Sequence, residues 1–291
     1  MLRQHRILLP IVLMHVSWLY CLAQSQVHDS IGIATYNIRY ANRGDGLDWW
    51  DYRSDAVIGY LQPLDVIGLQ EVTDSQFTTL RGALADFHAY GLGRDDGVSG
   101  GERAAIFYRK QRFREIEKGT FWLSENPEQV GVAGWDAALP RTCTWIKLEE
   151  VREGKTFLVA NTHFDHRGSL AREKSSQLIR RKLLELAGGI SIVLMGDFNC
   201  TPDSSPYLEL TRGGHFLDAR QVSKTLAVGP HSTWNGFDEI VSGRIIDHVF
   251  TSGDLAILQF FVDDPRTNEG RFASDHLPVR ISIEFGKPPA R

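Results

Sequence analysis

The sequence predicts an α/β or α+β sandwich in which two packed mixed sheets are flanked by helices. Short apolar runs typical of strands recur between Ile31 and Phe285, and segments with helical spacing of apolar residues lie between several of them. The run Ile190–Met195 is almost continuously apolar, so its sheet must be covered on both faces. At 291 residues, 42% hydrophobic and 23% charged, the chain is long enough to build such a fold.

Four helices are predicted, most with a local signal for where they begin or end. Thr73, with Gln76 three residues later, has the pattern of a capping box, and the pair Gly188-Gly189 is a usual stop signal. Ser205-Pro206 places proline where it commonly starts a helix. The predicted helices are Tyr52–Leu61, which stops before Pro63, Thr73–Leu84, Leu170–Ala187, and a short helix from Ser205 that carries Tyr207, Leu208 and Leu210.

Eight strands are predicted from short apolar runs, which favours mixed sheets covered by helices. The glycine-rich stretch 93–101 is expected to be a mobile rim, and Phe121-Trp122 and Gly134–Asp136 are expected to lie in a long loop region. The predicted strands are Ile31–Asn37, Val66–Glu71, Ala104–Tyr108, Thr144–Leu148, Thr156–Thr162, Ile190–Gly196, Ile245–Phe250 and Val279–Phe285.

Chemically active side chains stand at the ends of these strands, whereas the strand interiors are apolar. Because residues i and i+2 of a strand share a face, Asp197 and Asn199 are expected to point into one pocket. A site built on a rigid sheet needs such a placement. The residues at strand ends are Asn37, Glu71, His163, Asp197, Asn199, Asp247, Asp275 and His276.

Residues 1–23 have the pattern of a secretory signal peptide. Arg3 and Arg6 precede an apolar stretch, and Cys21-Leu22-Ala23 offers a small-residue cleavage site. An uncleaved membrane anchor is the alternative, although the stretch is shorter than the roughly 20 residues of a comfortable span. We therefore predict an exported protein that acts in the periplasm or outside the cell.

Residues 24–291 are predicted to form one domain, because no linker, charge block or internal repeat divides the motif residues. Removal of residues 1–23, which hold Arg3 and Arg6 but no carboxylate, changes the formal charge from −4 to −6. This charge argues against a general polyanion binder, although a bound cation would reverse the field where carboxylates cluster. Cys143 and Cys200 remain, either as one disulfide or as buried free thiols.

The strand ends supply hard oxygen ligands together with histidines. Carboxylates and carboxamides predict Mg²⁺, with Mn²⁺ or Ca²⁺ as alternatives, and the sequence has no zinc-finger spacing of Cys and His. A histidine beside a phosphate needs a partner that fixes its tautomer. We pair Asp247 with His276 and Glu102 with His163, a set that favours in-line attack of an activated water on phosphorus.

In their order along the chain, the motifs resemble those of the endonuclease/exonuclease/phosphatase superfamily of metal-dependent phosphohydrolases. The resemblance covers essentially the whole predicted mature chain. It implies a four-layer, deoxyribonuclease I-like α/β (α+β) sandwich and a Mg²⁺-dependent catalytic domain that cleaves a phosphoester P–O bond. The motifs are Asn37, Glu71, Asn161-Thr162-His163, Gly196-Asp197-Phe198-Asn199, Ile246-Asp247-His248 and Ser274-Asp275-His276.

At the matching positions, the resemblance implies a role for each residue. Glu71 is the principal metal ligand, supported by Asn37 and Asp275. Asp197 orients or deprotonates the attacking water, and Asn199 holds that water and the phosphate. For the rest, the resemblance implies that Asp247 aligns His276, that Glu102 orients His163, and that Arg141 and Arg167 correspond to phosphate-contacting arginines of two different branches.

The sequence does not decide which phosphoester is the substrate. Nucleic acid, a phospholipid headgroup and a small phosphorylated metabolite are the alternatives. A nuclease should carry a basic stripe, but Arg103–Arg114 holds only a modest cluster of basic residues. A sphingomyelinase-like phosphodiesterase should carry an exposed apolar hairpin, which no insertion clearly supplies. A catalytically inactive binding relative is a further alternative. We expect a monomer without a membrane span.

Overall fold

Two six-stranded sheets lie at the centre of the computed structural model, which describes residues 30–286. The predicted signal peptide, residues 1–23, lies outside the described residues. In chain order the strands are β1 (Ile31–Asn37), β2 (Val66–Val72), β3 (Phe87–Tyr90), β4 (Arg103–Arg109), β5 (Phe113–Trp122), β6 (Thr142–Glu150), β7 (Lys155–His163), β8 (Ser191–Asp197), β9 (Leu217–Asp218), β10 (Asp247–Ser252), β11 (Leu255–Val262) and β12 (Val279–Phe285).

Five α-helices accompany the strands in this part of the chain. They are α1 (Trp50–Leu61), α2 (Asp74–Ala83), α3 (Ser169–Ala187), α4 (Ser205–Thr211) and α5 (Ala219–Val222), with short 3-10 helices at Arg43–Asp48 and Arg212–Gly214. The predicted capping box of α2 is present, because Thr73 and Gln76 each accept the other's backbone N–H. The predicted stop of α3 is also confirmed, since Gly188 adopts the left-handed conformation with φ 56°. No helix among the described residues is long and apolar enough to cross a membrane.

The sheets stack face to face, and helices cover their outer faces. One sheet has the strand order β11-β12-β1-β2-β4-β3 and the other β5-β6-β7-β8-β10-β9. A central apolar cluster joins residues of both sheets, such as Val66 and Val193, whereas Val57 and Leu80 cover the outside of the first sheet and Ile179 that of the second. Each sheet mixes parallel and antiparallel pairs. The predicted four-layer sandwich is therefore confirmed.

Asn161 on β7 ties the two sheets together through polar contacts within this core. Its side-chain amide donates to the carbonyl oxygens of Leu69 and Ala105 at 2.9 and 2.8 Å, and it accepts from Gln70 Nε2 at 2.6 Å. A buried amide with its hydrogen bonds satisfied fixes the register between the sheets. Asn161 thus belongs to the scaffold of the fold.

The sequence missed four strands: β3, β5, β9 and β11. The residues Phe121 and Trp122, expected in a loop, end β5, a strand whose middle is charged and exposed. In stretch 93–101, which is predicted to be a mobile rim, the Asp96 carboxylate accepts three backbone N–H groups, from Val98, Ser99 and Gly100. Cys143 and Cys200 are both buried free thiols.

The pairing of strands brings the motif residues to one edge of the sandwich. β1 runs parallel to β2, and β7 runs parallel to β8 with His163 opposite Asp197. β10 is antiparallel to β8 and starts with Asp247 opposite Asp197. β12 is antiparallel to β1, so the Asp275-His276 pair that precedes it lies near the end of β1. Residues scattered along the sequence therefore meet at this edge.

Candidate active site

The Asn37 side chain connects the two sheets at this edge. Its amide nitrogen donates to Glu71 Oε1 at 3.1 Å and to Asp197 Oδ2 at 3.0 Å. Its amide oxygen accepts the backbone N–H of Arg39 at 3.0 Å. The predicted convergence of Glu71 and Asp197 is present, and the Asn37 NH₂ group bridges the two carboxylates.

Asp197 lies at the bottom of the site and is only 1% exposed. Its Oδ1 accepts the backbone N–H of Asn199, and its Oδ2 lies 3.5 Å from His163 Nε2 and 3.8 Å from His276 Nε2. Burial, followed by repulsion from the Asp247 carboxylate, raises the pKa of Asp197 to about 6. A carboxylate with this pKa is suited to accept a proton near neutral pH.

Asp247 and His276 form the hydrogen-bonded pair that the sequence predicted. His276 Nδ1 lies 2.9 Å from Asp247 Oδ2, and both side chains are buried. Burial alone would lower the pKa of His276, but the Asp247 and Asp197 carboxylates outweigh it and raise this pKa well above its ordinary value. The imidazole is therefore held as a cation whose Nε2 is directed toward Asp197.

Glu71 and Asp275 are the carboxylates best placed to hold a divalent cation. Glu71 Oε2 accepts the backbone N–H of Tyr40 at 3.0 Å, and Asp275 Oδ2 lies 4.0 Å from Arg39 Nε. Burial raises the pKa of Asp275, and the charge of Glu71 adds to this effect. Two carboxylates that repel one another in this way suit a bound cation, and their oxygens are the ligands that Mg²⁺ prefers.

The group Asp197, Asp247 and His276 places its ligand atoms within 4.8 Å of one another. The two carboxylates raise the pKa of His276, so a cation bound there would have to displace its proton. The cleft therefore offers two sets of ligands for a cation: this group, and the Glu71 and Asp275 carboxylates that the sequence predicted.

His163 and Glu102 are close but not hydrogen-bonded. His163 Nδ1 lies 4.0 Å from Glu102 Oε2 and has no hydrogen-bond partner among the described residues. Glu102 instead makes a two-point ion pair with Arg94, at 2.8 and 3.1 Å. Burial, then the nearby Arg141 and Arg94 charges, lower the pKa of His163 well below its ordinary value. His163 is thus a neutral imidazole, and its predicted orientation by Glu102 is not formed in this structure.

These side chains line a cleft of about 420 Å³. The predicted residues on its walls are Glu71, Glu102, Arg141, His163, Asp197, Asn199, Asp275 and His276. Arg141 contacts Asp165 at 3.5 Å and His166 at 3.1 Å. Arg167 is exposed and does not line this cleft, because the Asp165 side chain accepts the N–H groups of Arg167 and Gly168 and turns the chain away into α3.

Sequence reasoning missed six further lining residues: Arg39, Tyr40, Arg94, Leu139, His166 and Trp234. Three of them had a usable signal. Arg39 and Tyr40 lie two and three residues beyond the strand end at Asn37, and His166 lies three residues beyond His163. Arg94 and Trp234 lie in loops without a motif, so only the folded chain brings them to the cleft.

Backbone strain is concentrated at the site. Five non-glycine residues in the described part of the chain have positive φ, and three of them, Arg39, Glu71 and Asn199, line the cleft. Glu71 also lies where the pairing of β2 with β4 shifts register between Leu69 and Val72. Such a bulge re-aims a side chain, and positive φ costs about 1–3 kcal/mol, so the fold maintains this geometry at the expense of stability.

Arg53, only 1% exposed, supports the loops on which the site stands. Its guanidinium donates to the carbonyl oxygens of Asp48, Ile38 and Arg39 at 2.8, 2.5 and 2.8 Å, and to that of Ala273 at 3.1 Å. The segments it joins are those that follow Asn37 and precede Asp275. One buried cation therefore ties together the backbone on both sides of the candidate cation site.

We expect Arg53→Met to lower the free energy of unfolding by about 2–4 kcal/mol, because it leaves buried carbonyl groups without donors. Urea denaturation followed by circular dichroism would measure the change. Arg280→Met is the matched control, since Arg280 is half-buried and pairs with Asp263 away from the cleft, and it should cost less than about 1 kcal/mol. Equal losses in the two variants would show that Arg53 has no special supporting role.

Comparison with known proteins gives a consistent result. The family model described as "Endonuclease/Exonuclease/phosphatase family" matches residues 34–276. An endonuclease/exonuclease/phosphatase from Bacteroides vulgatus is 38% identical with a TM-score of 0.84, over 88% of this chain and 99% of that chain. A mannosyl-6-phosphatase from Bacteroides thetaiotaomicron is 35% identical with a TM-score of 0.83, over 88% and 100%. A comparison with curated proteins gave no match.

Proposed function

This chain belongs to the endonuclease/exonuclease/phosphatase family of phosphoester hydrolases, and we propose that it is a Mg²⁺-dependent phosphatase that acts on a small phosphorylated metabolite such as a sugar phosphate. The observation that carries the proposal is the cleft of about 420 Å³, in which a carboxylate base, two histidines and two cation-binding carboxylates face one space. This volume suits a small molecule. The likeness to a mannosyl-6-phosphatase at 35% identity supports the same substrate class.

Asp197 is the base in the proposed mechanism. It accepts a proton from the attacking water, which Asn199 helps to position from the adjoining turn. His276, held as a cation by Asp247, donates to a phosphoryl oxygen and stabilises the negative charge that grows on it. Neutral His163, 3.5 Å from Asp197, contributes a further donor.

Glu71 and Asp275 would hold the cation. When bound, Mg²⁺ supplies Lewis-acid polarisation of the phosphoryl group and neutralises its charge. The carboxylate oxygens, with no cysteine lining the cleft, fit a hard cation better than zinc. Asn37 keeps Glu71 and Asp197 at a fixed separation through the hydrogen bonds of its NH₂ group.

The pH dependence of the reaction follows from Asp197. Its pKa is raised to about 6, so the reactive carboxylate is depleted below pH 6 and is fully formed above about pH 7. We expect kcat/KM to fall roughly tenfold per pH unit below 6 and to level off above 7. Rates measured from pH 4.5 to 8.5 at saturating Mg²⁺ would check this.

Asp197→Asn is the control for this profile, because its residual rate reports only the titration of the substrate phosphate. If kcat/KM of the native enzyme fell at low pH in the same way as that of Asp197→Asn, Asp197 would not be the titrating base.

A substrate panel tests the proposed function. The full chain is assayed with Mg²⁺ against hexose 6-phosphates, inositol phosphates, linear and circular DNA, RNA, sphingomyelin vesicles and aryl phosphodiesters. We expect release of inorganic phosphate from sugar phosphates, with loss of turnover in EDTA. Faster hydrolysis of nucleic acid, or of sphingomyelin, would replace the proposal with a nuclease or a phospholipid phosphodiesterase.

We further propose that the protein acts after export, in the periplasm or outside the cell. The support for this comes only from residues 1–23, with their basic start, apolar stretch and small-residue cleavage site. N-terminal sequencing of the protein recovered from the extracytoplasmic fraction should begin near Gln24. Recovery of the uncleaved chain in the cytoplasm would contradict export.

A further inference from the structure

We propose that Arg94, together with Arg141, forms an anion-binding wall of the cleft that selects phosphomonoesters over phosphodiesters. This inference rests on the proposed function and adds the residues that distinguish the two ester classes. In this arrangement Glu102 positions Arg94, whereas the sequence had assigned Glu102 to His163.

Arg94 is held firmly although it lies in a loop. It is 8% exposed, and its guanidinium contacts both Glu102 carboxylate oxygens at 2.8 and 3.1 Å. Its backbone N–H donates to the Glu102 carbonyl at 3.1 Å, and its own carbonyl accepts Trp122 Nε1 at 2.7 Å. A two-point ion pair leaves other N–H groups of the guanidinium free to donate. Arg94 is therefore a pre-oriented donor on the wall of the cleft.

Arg141 is 4% exposed and lies on the same wall, and one of its N–H donors has no partner in the described part of the chain. Its Nη1 has no hydrogen-bond partner among the described residues, and the same holds for His163 Nδ1. Buried donors without partners cost stability unless a ligand or a water satisfies them. Among the residues that the structure describes, Arg94 Nε and Arg141 Nη1 are thus unpartnered donors on one wall, whereas the neutral His163 ring, which carries a single N–H, adds an unpartnered Nδ1.

The charges around this wall also favour an anion. Arg94 pairs with Glu102 and Arg141 pairs with Asp165, while Asp95, 4.0 Å from Arg94 Nε, is more than half exposed. Burial, then the charge of the neighbouring Arg94, lower the pKa of Arg141, although Glu102 and Asp165 act in the opposite direction. Glu71 and Asp197, also in the cleft, are the carboxylates that a bound cation and His276 offset. A phosphate group would relieve the repulsion between the arginines.

The wall matches the charge and the oxygens of a phosphomonoester better than those of a phosphodiester. A small space of about 10 Å³ beside Arg94, Glu102, Arg141, His163 and Glu71 holds at most about one water. A phosphomonoester presents three non-bridging oxygens and close to two negative charges, whereas a diester presents two oxygens and one charge. The third oxygen and the second charge would be satisfied by the arginines, whereas an alkyl group in that place would leave their donors unpaired.

Arg94→Gln tests the inference with two substrates that share a leaving group, 4-nitrophenyl phosphate and methyl 4-nitrophenyl phosphate. We expect kcat/KM for the monoester to fall about 10- to 100-fold, as for loss of a charge-assisted contact, and kcat/KM for the diester to change less than about threefold. The inhibition constant of inorganic phosphate should rise about tenfold.

Arg112→Gln is the matched control. The Arg112 side chain is mostly buried and pairs with Asp65 at 2.7 Å, but it lines neither the cleft nor the small space beside Arg94, so both kcat/KM values should stay near native. If Arg94→Gln fails to fold, Arg94→Lys is the second variant. It keeps the positive charge but lacks the two-point geometry of the guanidinium, so it should give a smaller loss of the preference for the monoester.

Equal losses on both substrates, or no loss on the monoester, would overturn the inference. The native protein separates this failure from that of the proposed function. If the native protein does not prefer the monoester, the proposed function itself is wrong. If it does, but the ratio is unchanged in Arg94→Gln, only the inference about this wall is wrong.

Discussion

We expect Asp197→Asn to lower kcat by a factor of about 100 to 10,000, the range that loss of a general base produces. The change removes the only described carboxylate within 4 Å of both His163 and His276, while it keeps the size of the side chain. The pKa of Asp197 is raised in the folded protein, so its ionised form weakens folding above pH 6. The variant should therefore unfold at the native temperature or higher at pH 8.

Steady-state kinetics at saturating Mg²⁺ and thermal unfolding in EDTA measure these two effects separately. Thr201→Ala, a change in the loop after Asn199, serves as a control for general disturbance of this turn. A variant with near-native kcat would refute the role of Asp197 as the base. A variant with a large loss of stability would make its low activity uninformative about that role, and the result would contradict our reading of the buried charge.

His276→Ala should have the second largest effect. It removes the cation between the Asp247 and Asp197 carboxylates, which leaves buried negative charge without compensation. We expect kcat to fall about 100- to 10,000-fold and stability at pH 8 to fall by about 3–5 kcal/mol. Kinetics and urea denaturation would measure both losses.

A double-mutant cycle measures the interaction between Asp247 and His276 separately from the contribution of each residue. In Asp247→Asn with His276→Ala, one buried charge is gone, so we expect part of the lost stability to return while kcat stays as low as in His276→Ala alone. Fully additive losses in stability and in kcat would indicate that Asp247 and His276 act independently, against the 2.9 Å hydrogen bond that joins them.

The sequence predicted the scaffold of the site well, because strand periodicity and strand ends are local properties. β1 and β12 have the predicted bounds, and β8 differs by one residue at each end. Asp197 and Asn199 both line the cleft as predicted, but not through strand alternation, because β8 ends at Asp197 and Asn199 lies in a turn with φ 46° whose backbone N–H donates to Asp197 Oδ1. The pairing of Asp247 with His276 is confirmed as a hydrogen bond.

The sequence could not predict partners that depend on competition between side chains. The Glu102 carboxylate could pair with either His163 or Arg94, and it pairs with Arg94. The loop that carries Arg94 is held by backbone N–H groups that donate to the Asp96 carboxylate, an arrangement that no motif indicates. In the same way, the Asn37 side chain can offer its amide oxygen or its NH₂ group, and only the folded chain shows that the backbone N–H of Arg39 donates to the oxygen. Strand β5 was missed because its exposed middle is charged, without the apolar alternation that marks a half-buried strand.

The central claim is that Glu71 and Asp275 hold a divalent cation beside the Asp197–Asp247–His276 group. The most direct measurement is the anomalous scattering of Mn²⁺ in crystals of the full chain soaked with the ion. We predict a peak at roughly 2.1 Å from oxygens of both Glu71 and Asp275, which Glu71→Gln should weaken or abolish. A peak centred instead between Asp197 and Asp247, or none at this edge of the sheets at saturating Mn²⁺, would contradict the account.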